Sequence, residues 1–98
     1  MTDTMKTLPV PCVHTNGSGA AALRDQAKDV YRAAHQLLDA MRQARPHGRD
    51  YYPLGANALK DAQDAHAAYE AMVYAVETAY AMLGVNIQRA AKGQPPKL

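Results

Sequence analysis

The sequence predicts an all-α protein: an antiparallel helical hairpin, over about residues 20–44 and 55–91, that assembles with copies of itself into an oligomeric helical bundle. Both segments carry apolar residues at steps of three and four, which places them on one face of a helix. Proline and glycine lie between the segments and after the second one, where they end helices. The 98 residues include twenty Ala, six Tyr and no Phe or Trp, so one copy alone has little apolar area to bury.

A single domain is expected over residues 1–98, beginning with an extended arm at 1–13 that contains two prolines. A turn should follow the arm, and then the first helix. Ser18 is the first candidate for the N-cap of this helix and Asn16 is the alternative, because both side chains can accept a hydrogen bond from a free backbone N–H. Pro46 should end the helix, since the residue before a proline avoids the helical conformation.

The second helix should begin either at Pro53, in its first position, or slightly later with Asn57 as its N-cap. Gly93 lies where a glycine commonly ends a helix, and residues 93–98 are expected to be a loose tail. His66 should be buried and hydrogen-bonded across the bundle, with a ligand-binding or pH-sensitive role as the alternative. The spacing predicts one seam of Leu59, Ala62, His66, Tyr69, Val73, Val76, Tyr80, Leu83 and Ile87.

The second helix is too long for the first to cover, which predicts a homo-oligomer, most simply a dimer that forms a four-helix bundle. A higher oligomer, which would use both faces of the helix, is the alternative. A second face of this helix carries small or flexible apolar residues, which would let another helix approach closely. This expected subunit interface consists of Ala68, Ala71, Met72, Ala75, Ala79 and Met82.

The charge balance is nearly even, with eleven basic and nine acidic residues and a sequence pI near 8.8. This is milder than a duplex-DNA-binding protein usually shows, so nucleic-acid binding is not expected. No apolar run reaches the length of a membrane span, and the N-terminus has no signal-peptide pattern. Cys12 is the only cysteine, which excludes an intramolecular disulfide. We therefore expect a cytoplasmic protein without a membrane partner.

The turn before the first helix is one candidate ligand site. Backbone N–H groups at a helix N-terminus attract anions, and glycines in the turn would let a phosphate come close. The alternative is an ordinary helix cap. A P-loop would need Gly-x-x-x-x-Gly-Lys-Ser/Thr, so ATP hydrolysis is not supported. The candidate ligand-binding residues of this turn are His14, Asn16, Gly17, Ser18 and Gly19.

The link between the helices is the other candidate, through Arg45, Arg49, Tyr51 and Tyr52. Arginine can hold a phosphate through two hydrogen bonds, and tyrosine offers a face on which a base can stack. The alternative is structural: Asp50 pairs with Arg49 or caps backbone groups, and the tyrosine rings cover the end of the bundle.

Other polar residues give weaker indications. A basic row on one flank of the first helix is either a solvated face or a contact for an acidic partner or a phosphate. This row consists of Arg24, Lys28, Arg32, His35 and Arg42. The sequence suggests no paired nucleophile and base, no Glu-x-x-His pair and no set of four zinc ligands. We therefore expect a non-enzymatic protein with no cofactor and no metal site.

The segments 12–18 and 48–53 resemble the two signature turns of small α-helical proteins encoded by phages and prophages. Those proteins have a His-x-Asn-Gly-Ser/Thr turn before their first helix and a Gly-Arg-Asp-Tyr-Tyr turn before their second. The resemblance covers about residues 11–90. It implies a phage setting, in which small helical proteins often act against host defence by binding a protein or by sequestering a nucleotide signal.

Three functions follow as hypotheses. The first is a binding protein that sequesters a phosphate-bearing nucleotide at pockets between subunits. The two signature turns lie at opposite ends of an antiparallel hairpin, so they could share a pocket only across a subunit boundary. The second is an inhibitor of a host defence protein, comparable to an anti-CRISPR factor. The third is a structural or assembly protein without a small ligand.

Overall fold

The computed structural model describes residues 7–12 and 19–97, and in these ranges the chain forms helices and turns and no strand. The all-α prediction is confirmed. Helix α1 spans Ala20–Gln43, the one-turn helix α2 spans Gly48–Tyr51, a 3₁₀ turn spans Tyr52–Leu54, and helix α3 spans Ala58–Ala91.

The two long helices pack side by side in opposite directions. His35 of α1 hydrogen-bonds Glu77 of α3, whereas Met41, further along α1, accepts a hydrogen bond from His66, which lies earlier in α3. Helix α1 therefore covers the middle and the end of α3, and the first turns of α3 extend beyond α1 and contact α2 and the 3₁₀ turn. The resulting rod is 62 Å long.

The helix starts differ in detail from the sequence-based expectation. Gly19, and not Ser18, is the residue that precedes α1, and its carbonyl oxygen accepts a hydrogen bond from the Leu23 N–H at 3.0 Å. Glycine is also an accepted N-cap residue. Asn57 precedes α3, and this was one of the two starts predicted for the second helix. The helix begins later than residue 55 because Gly55 has a φ of 107° and a ψ of 168°, which no helix accommodates.

Helix α3 ends close to a glycine, as the sequence predicts. Gly93 has a positive φ of 72°, and the N–H of Gln94 reaches back to the Arg89 carbonyl at 2.8 Å. The following residues, expected to be a loose tail, instead return to the helix. The Asn86 side chain donates to the Lys97 carbonyl at 3.0 Å and accepts from its N–H at 2.6 Å.

The buried seam of α3 differs from the predicted one at two positions. Tyr69 and Val76 are exposed, and the neighbouring Glu70 and Glu77 face α1 instead. The physical reason is that both carboxylates find basic partners on the α1 side. The apolar core is small: among the described residues the buried apolar side chains are Ala27, Ala34, Leu38 and Ile87.

The face predicted to bind another subunit is partly lined by the chain itself. Residues 7–12 have no regular secondary structure. Thr7 and Leu8 border an apolar groove of about 330 Å³ together with residues of α3 that include Ala79 and Met82. The C-terminal half of the predicted interface is therefore not an open helix face, because the N-terminal segment lies beside it.

Candidate functional site

The link between α1 and α3 folds tightly at one end of the rod. Pro46 follows α1 and prevents its continuation. The N–H of Asp50 then donates to the His47 carbonyl at 3.1 Å, which starts the single turn of α2. Gly55 takes its glycine-only conformation and redirects the chain into α3. The link is thus a series of short turns that holds its side chains around one end of the hairpin.

These turns surround an open cavity of about 520 Å³. Its lining combines a guanidinium from Arg45, an imidazole from His47, a carboxylate from Asp50 and an aromatic ring from Tyr51. We call this space the link cavity. Its volume falls in the range of small-molecule sites. Cationic and aromatic groups side by side are the groups that bind a phosphate and a flat ring.

Arg45 is held in place by Glu70. Its Nε donates to Glu70 Oε2 at 2.8 Å, and its Nη2 donates to Oε1 at 2.7 Å. The hydrogen bonds from Arg45 hold the pKa of the Glu70 carboxyl below its usual 4.5, against the opposing effect of desolvation. The same contact raises the pKa of Arg45. The guanidinium is therefore a fixed cation, and the hydrogens on Nη1 remain available to a ligand.

His66 joins this ion pair to α1. Its Nε2 donates to the Met41 carbonyl at 2.7 Å and lies 3.1 Å from Glu70 Oε2. A carbonyl can only accept, so Nε2 carries the proton. A hydrogen bond from His66 across the helix pair was predicted from the sequence, but the side chain is 20% exposed and not buried. A second cavity of about 350 Å³ lies here, and Arg45 and Pro46 line both it and the link cavity.

The predicted site residues of the link separate into two groups, those that line the link cavity and those that do not. Arg45 and Tyr51 line the link cavity. Arg49 and Tyr52 do not line it, and Tyr52 is 80% exposed, so its ring does not cover the end of the bundle. Among the described residues Arg49 and Asp50 form no hydrogen bond with each other.

Gly19, the one described residue of the Gly-rich turn, lies far from the link. Gly19 precedes α1, whose 24 residues place it about 36 Å from the link at about 1.5 Å per residue. Within one chain it cannot contribute to the link cavity. His14, Asn16, Gly17 and Ser18 lie outside the described residues.

Sequence reasoning missed the acidic partner of the site. Glu70 was not assigned a role, although it lies four residues after His66 and therefore on the same helix face. A seam with steps of three, four, four and three would have included it. His47 lies in the same link segment as the predicted arginines and tyrosines, but it was not among the predicted ligand-binding residues.

The basic row of α1 is divided between ion pairs and a groove. His35 contacts Glu77 and lies 3.6 Å from Asp39, which also contacts Arg42 at 3.4 Å. In the described part of the chain, Arg24 and Lys28 form no ion pair. They line a groove of about 280 Å³ with the rings of Tyr31 and Tyr80.

Within residues 7–12 and 19–97, no cluster of three or more His, Cys, Asp and Glu side chains could hold a metal ion. None of the described helices has the length and apolarity needed to cross a membrane. Comparison of the chain with protein-family models, with curated proteins and with solved structures finds no match. The site must therefore be interpreted from its own geometry.

Proposed function

We propose that the protein is a non-enzymatic binding protein that holds a phosphate-bearing nucleotide in the link cavity. The observation that supports this proposal is the presence of Arg45, His47 and Tyr51 around one space of about 520 Å³. In the resulting complex Arg45 would contact a phosphate through Nη1, and the Tyr51 ring would stack on the base.

We further propose that binding is the whole function, without turnover of the ligand. A protein that only sequesters a nucleotide needs a fixed cation and a stacking surface, and the ion pair with Glu70 supplies a fixed Arg45. The resemblance of the two turns to small phage proteins suggests the setting: the ligand would be a signal of a host defence system, removed from solution in the host cytoplasm.

Calorimetry tests the ligand proposal. Protein dialysed extensively to remove co-purified ligand is titrated with linear and cyclic mono-, di- and oligonucleotides. At least one should bind, and Tyr51→Ala should weaken that binding by about 1–3 kcal/mol, roughly five-fold to a hundredfold in Kd. Arg45→Ala should weaken it as well, because it removes the cation.

Arg24→Ala is the matched control, since it removes a cation from the flank groove and not from the link cavity. It should leave the affinity unchanged. Heat that disappears in Arg24→Ala but persists in Arg45→Ala would place the ligand on the flank of α1. The absence of heat with every nucleotide would refute the proposal.

A specific observation also favours a second candidate, an inhibitor that binds a host protein through the tip of the hairpin. Tyr52 and Leu54 are large side chains that protrude at this end, and neither is buried by the rest of the chain. Tyrosine is enriched among the residues that contribute most to binding at interface centres, so Tyr52 is the anchor of this candidate surface.

The two candidates predict opposite results for two variants. Tyr52→Ala should not change nucleotide affinity, because its ring does not line the link cavity. It should abolish co-purification of a defined bacterial protein, identified by mass spectrometry, if the tip is a protein-binding surface. Tyr51→Ala should have its main effect on nucleotide binding.

A further inference from the structure

The α1–α3 hairpin has two long edges, one on each side of the contact between the helices, and their side chains differ in chemistry. In α1 the difference is visible around Ala34. Successive residues of an α-helix are about 100° apart. His35 therefore lies on one side of the buried Ala34, whereas Val30 and Leu37 lie on the other side. The His35 side carries the ion pairs. The Leu37 side is exposed and apolar, and Ala33 lies next to it.

Helix α3 is divided in the same way. Counted around the helix from Tyr80, Glu77 lies about 60° to one side, and Val76 and Met72 lie about 40° and 80° to the other. Tyr69 is on the Val76 side. The first side carries the carboxylates that contact α1, and the second carries exposed apolar side chains.

The contact between His35 and Glu77 fixes how these sides combine. Because these two residues touch, the charged sides of both helices form one edge of the hairpin, and the apolar sides form the other. In the antiparallel register Leu37 is level with residue 75, so it lies between Met72 and Val76. The apolar side chains of the two helices are therefore continuous.

We call this surface the apolar edge; it consists of Val30, Ala33, Leu37, Tyr69, Met72 and Val76. Its neighbouring positions Ala40, Ala65 and Ala68 are also uncharged and exposed. Ion pairs along the opposite edge and uninterrupted apolar side chains along this one are the pattern of a surface that is covered when the protein is assembled.

The surface area of the chain indicates how much can be covered. The chain exposes 7300 Å², whereas a compact protein of 10.6 kDa exposes about 5,500 Å². This excess belongs to the whole elongated chain and not to the apolar edge alone; it is larger than the roughly 800 Å² that each partner loses in a standard interface. The radius of gyration, 18.5 Å, likewise exceeds the value of about 13 Å for a compact domain of this length.

We propose that the occupant of the apolar edge is a second copy of this chain, which packs its own apolar edge against the first in a two-fold dimer. Isologous contact needs one self-complementary surface, and a flat, uncharged edge made of Ala, Val, Leu, Met and Tyr meets that condition. The dimer would enlarge a core that otherwise has few buried apolar side chains. This proposal does not depend on a nucleotide in the link cavity.

Two valines of α3 provide a matched test. Val76 is 43% exposed and Val85 is 45% exposed, and nine residues place them on opposite sides of the helix. Sedimentation velocity of the full chain at 1–100 µM should show a dimer. Val76→Glu should raise the dissociation constant roughly a hundredfold, because it buries an unpaired charge in each copy. Val85→Glu should remain dimeric.

Hydroxyl-radical footprinting of the unaltered protein gives an independent measurement that needs no folded variant. Tyr69 is 61% exposed and Tyr74 is 57% exposed in the single chain. As concentration rises, Tyr69 should become protected while Tyr74 stays reactive. A monomer at 100 µM would overturn the proposal and assign the apolar edge to a different partner. Equal protection of the two tyrosines in a dimer, or equal dissociation of both Val variants, would overturn it too.

Discussion

Arg45 and Glu70 form a two-point ion pair that joins the start of the link, two residues after the end of α1, to the first half of α3. The Glu70 side chain is only 12% exposed, and the Arg45 hydrogen bonds hold its pKa below the usual value of 4.5. His66, 3.1 Å from the carboxylate, lowers the pKa further. One contact thus positions the cation of the link cavity and ties the link to the helix pair.

We expect this ion pair to make the protein sensitive to acid. A carboxyl group with a lowered pKa in the folded state stabilises it above pH 4.5, and that contribution is lost as pH falls through the folded-state pKa. Thermal unfolding followed by circular dichroism should show a lower Tm for Glu70→Gln at pH 7. The difference between Glu70→Gln and the unaltered protein should narrow below pH 4.5.

Asp64→Asn is the control for this experiment. Asp64 pairs with Lys60 at 2.6 Å on the surface, and exposed ion pairs contribute little to stability. Its unfolding curve should follow that of the unaltered protein at every pH. A Glu70→Gln protein with the same Tm as the unaltered protein at pH 7 would contradict the structural role of the pair.

Leu38 should be among the most sensitive positions of the small core. It is buried in α1, and truncation of a buried leucine to alanine costs about 2–5 kcal/mol. Leu38→Ala should therefore lower the free energy of unfolding in urea by that amount. Leu54→Ala removes the same atoms from an exposed position and should change it by less than about 0.5 kcal/mol. Equal losses would mean that the core is elsewhere.

Gly55 and Gly84 should respond in opposite directions to alanine. A Cβ added at either position would have no atom within 4 Å apart from its chain neighbours and the backbone of its own helix, so backbone conformation decides the result. Gly55 has the glycine-only conformation, and Gly55→Ala should destabilise by about 1–3 kcal/mol. Gly84 lies inside α3, and Gly84→Ala should stabilise by up to about 1 kcal/mol. Chemical denaturation of both variants measures the difference.

Asn86 should protect the backbone near residue 97. Its buried amide forms two hydrogen bonds with Lys97, each with a net value of about 0.5–1.5 kcal/mol. In Asn86→Ala the Lys97 amide should exchange with solvent much faster, as hydrogen exchange measured by NMR would report. Asn57→Ala is the control, because the Asn57 side chain does not cap α3. Unchanged exchange at Lys97 would show that the two hydrogen bonds do not protect it in solution.

The helical pattern predicted where the elements lie but not which side chains face inward. Pro46 and Gly93 end helices through their own backbone chemistry, so the ends of α1 and α3 could be predicted from the sequence. At two points of α3 an apolar residue precedes a glutamate, as Tyr69 precedes Glu70. Hydrophobic periodicity predicts that the apolar residue of each pair faces inward. In the fold the glutamate faces α1 instead, because it contacts a basic partner there. That choice depends on tertiary pairing, which local spacing does not contain.

The link site was likewise only partly predictable from the sequence. Arginine and tyrosine in a short loop are visible in the sequence, and Arg45 and Tyr51 do line one cavity. The partner that fixes Arg45 is 25 residues away and becomes its neighbour only through the antiparallel pairing. Gly55 also sets the direction of the chain here. Its conformation is one that a glycine allows, but the presence of a glycine in the sequence does not predict it.

The two carboxylates that face α1, Glu70 and Glu77, determine which alignment of the helices is allowed. Alanine-rich surfaces would let the 24 residues of α1 slide along the 34 residues of α3 at little cost. The basic partners on the α1 side, His35 and Arg45, are ten residues apart, whereas Glu70 and Glu77 are seven apart. A shift by one helical turn would place His35 level with residue 73 or 81, and neither is acidic. Only one alignment satisfies both pairs, so these polar contacts supply the uniqueness that the smooth apolar surfaces lack.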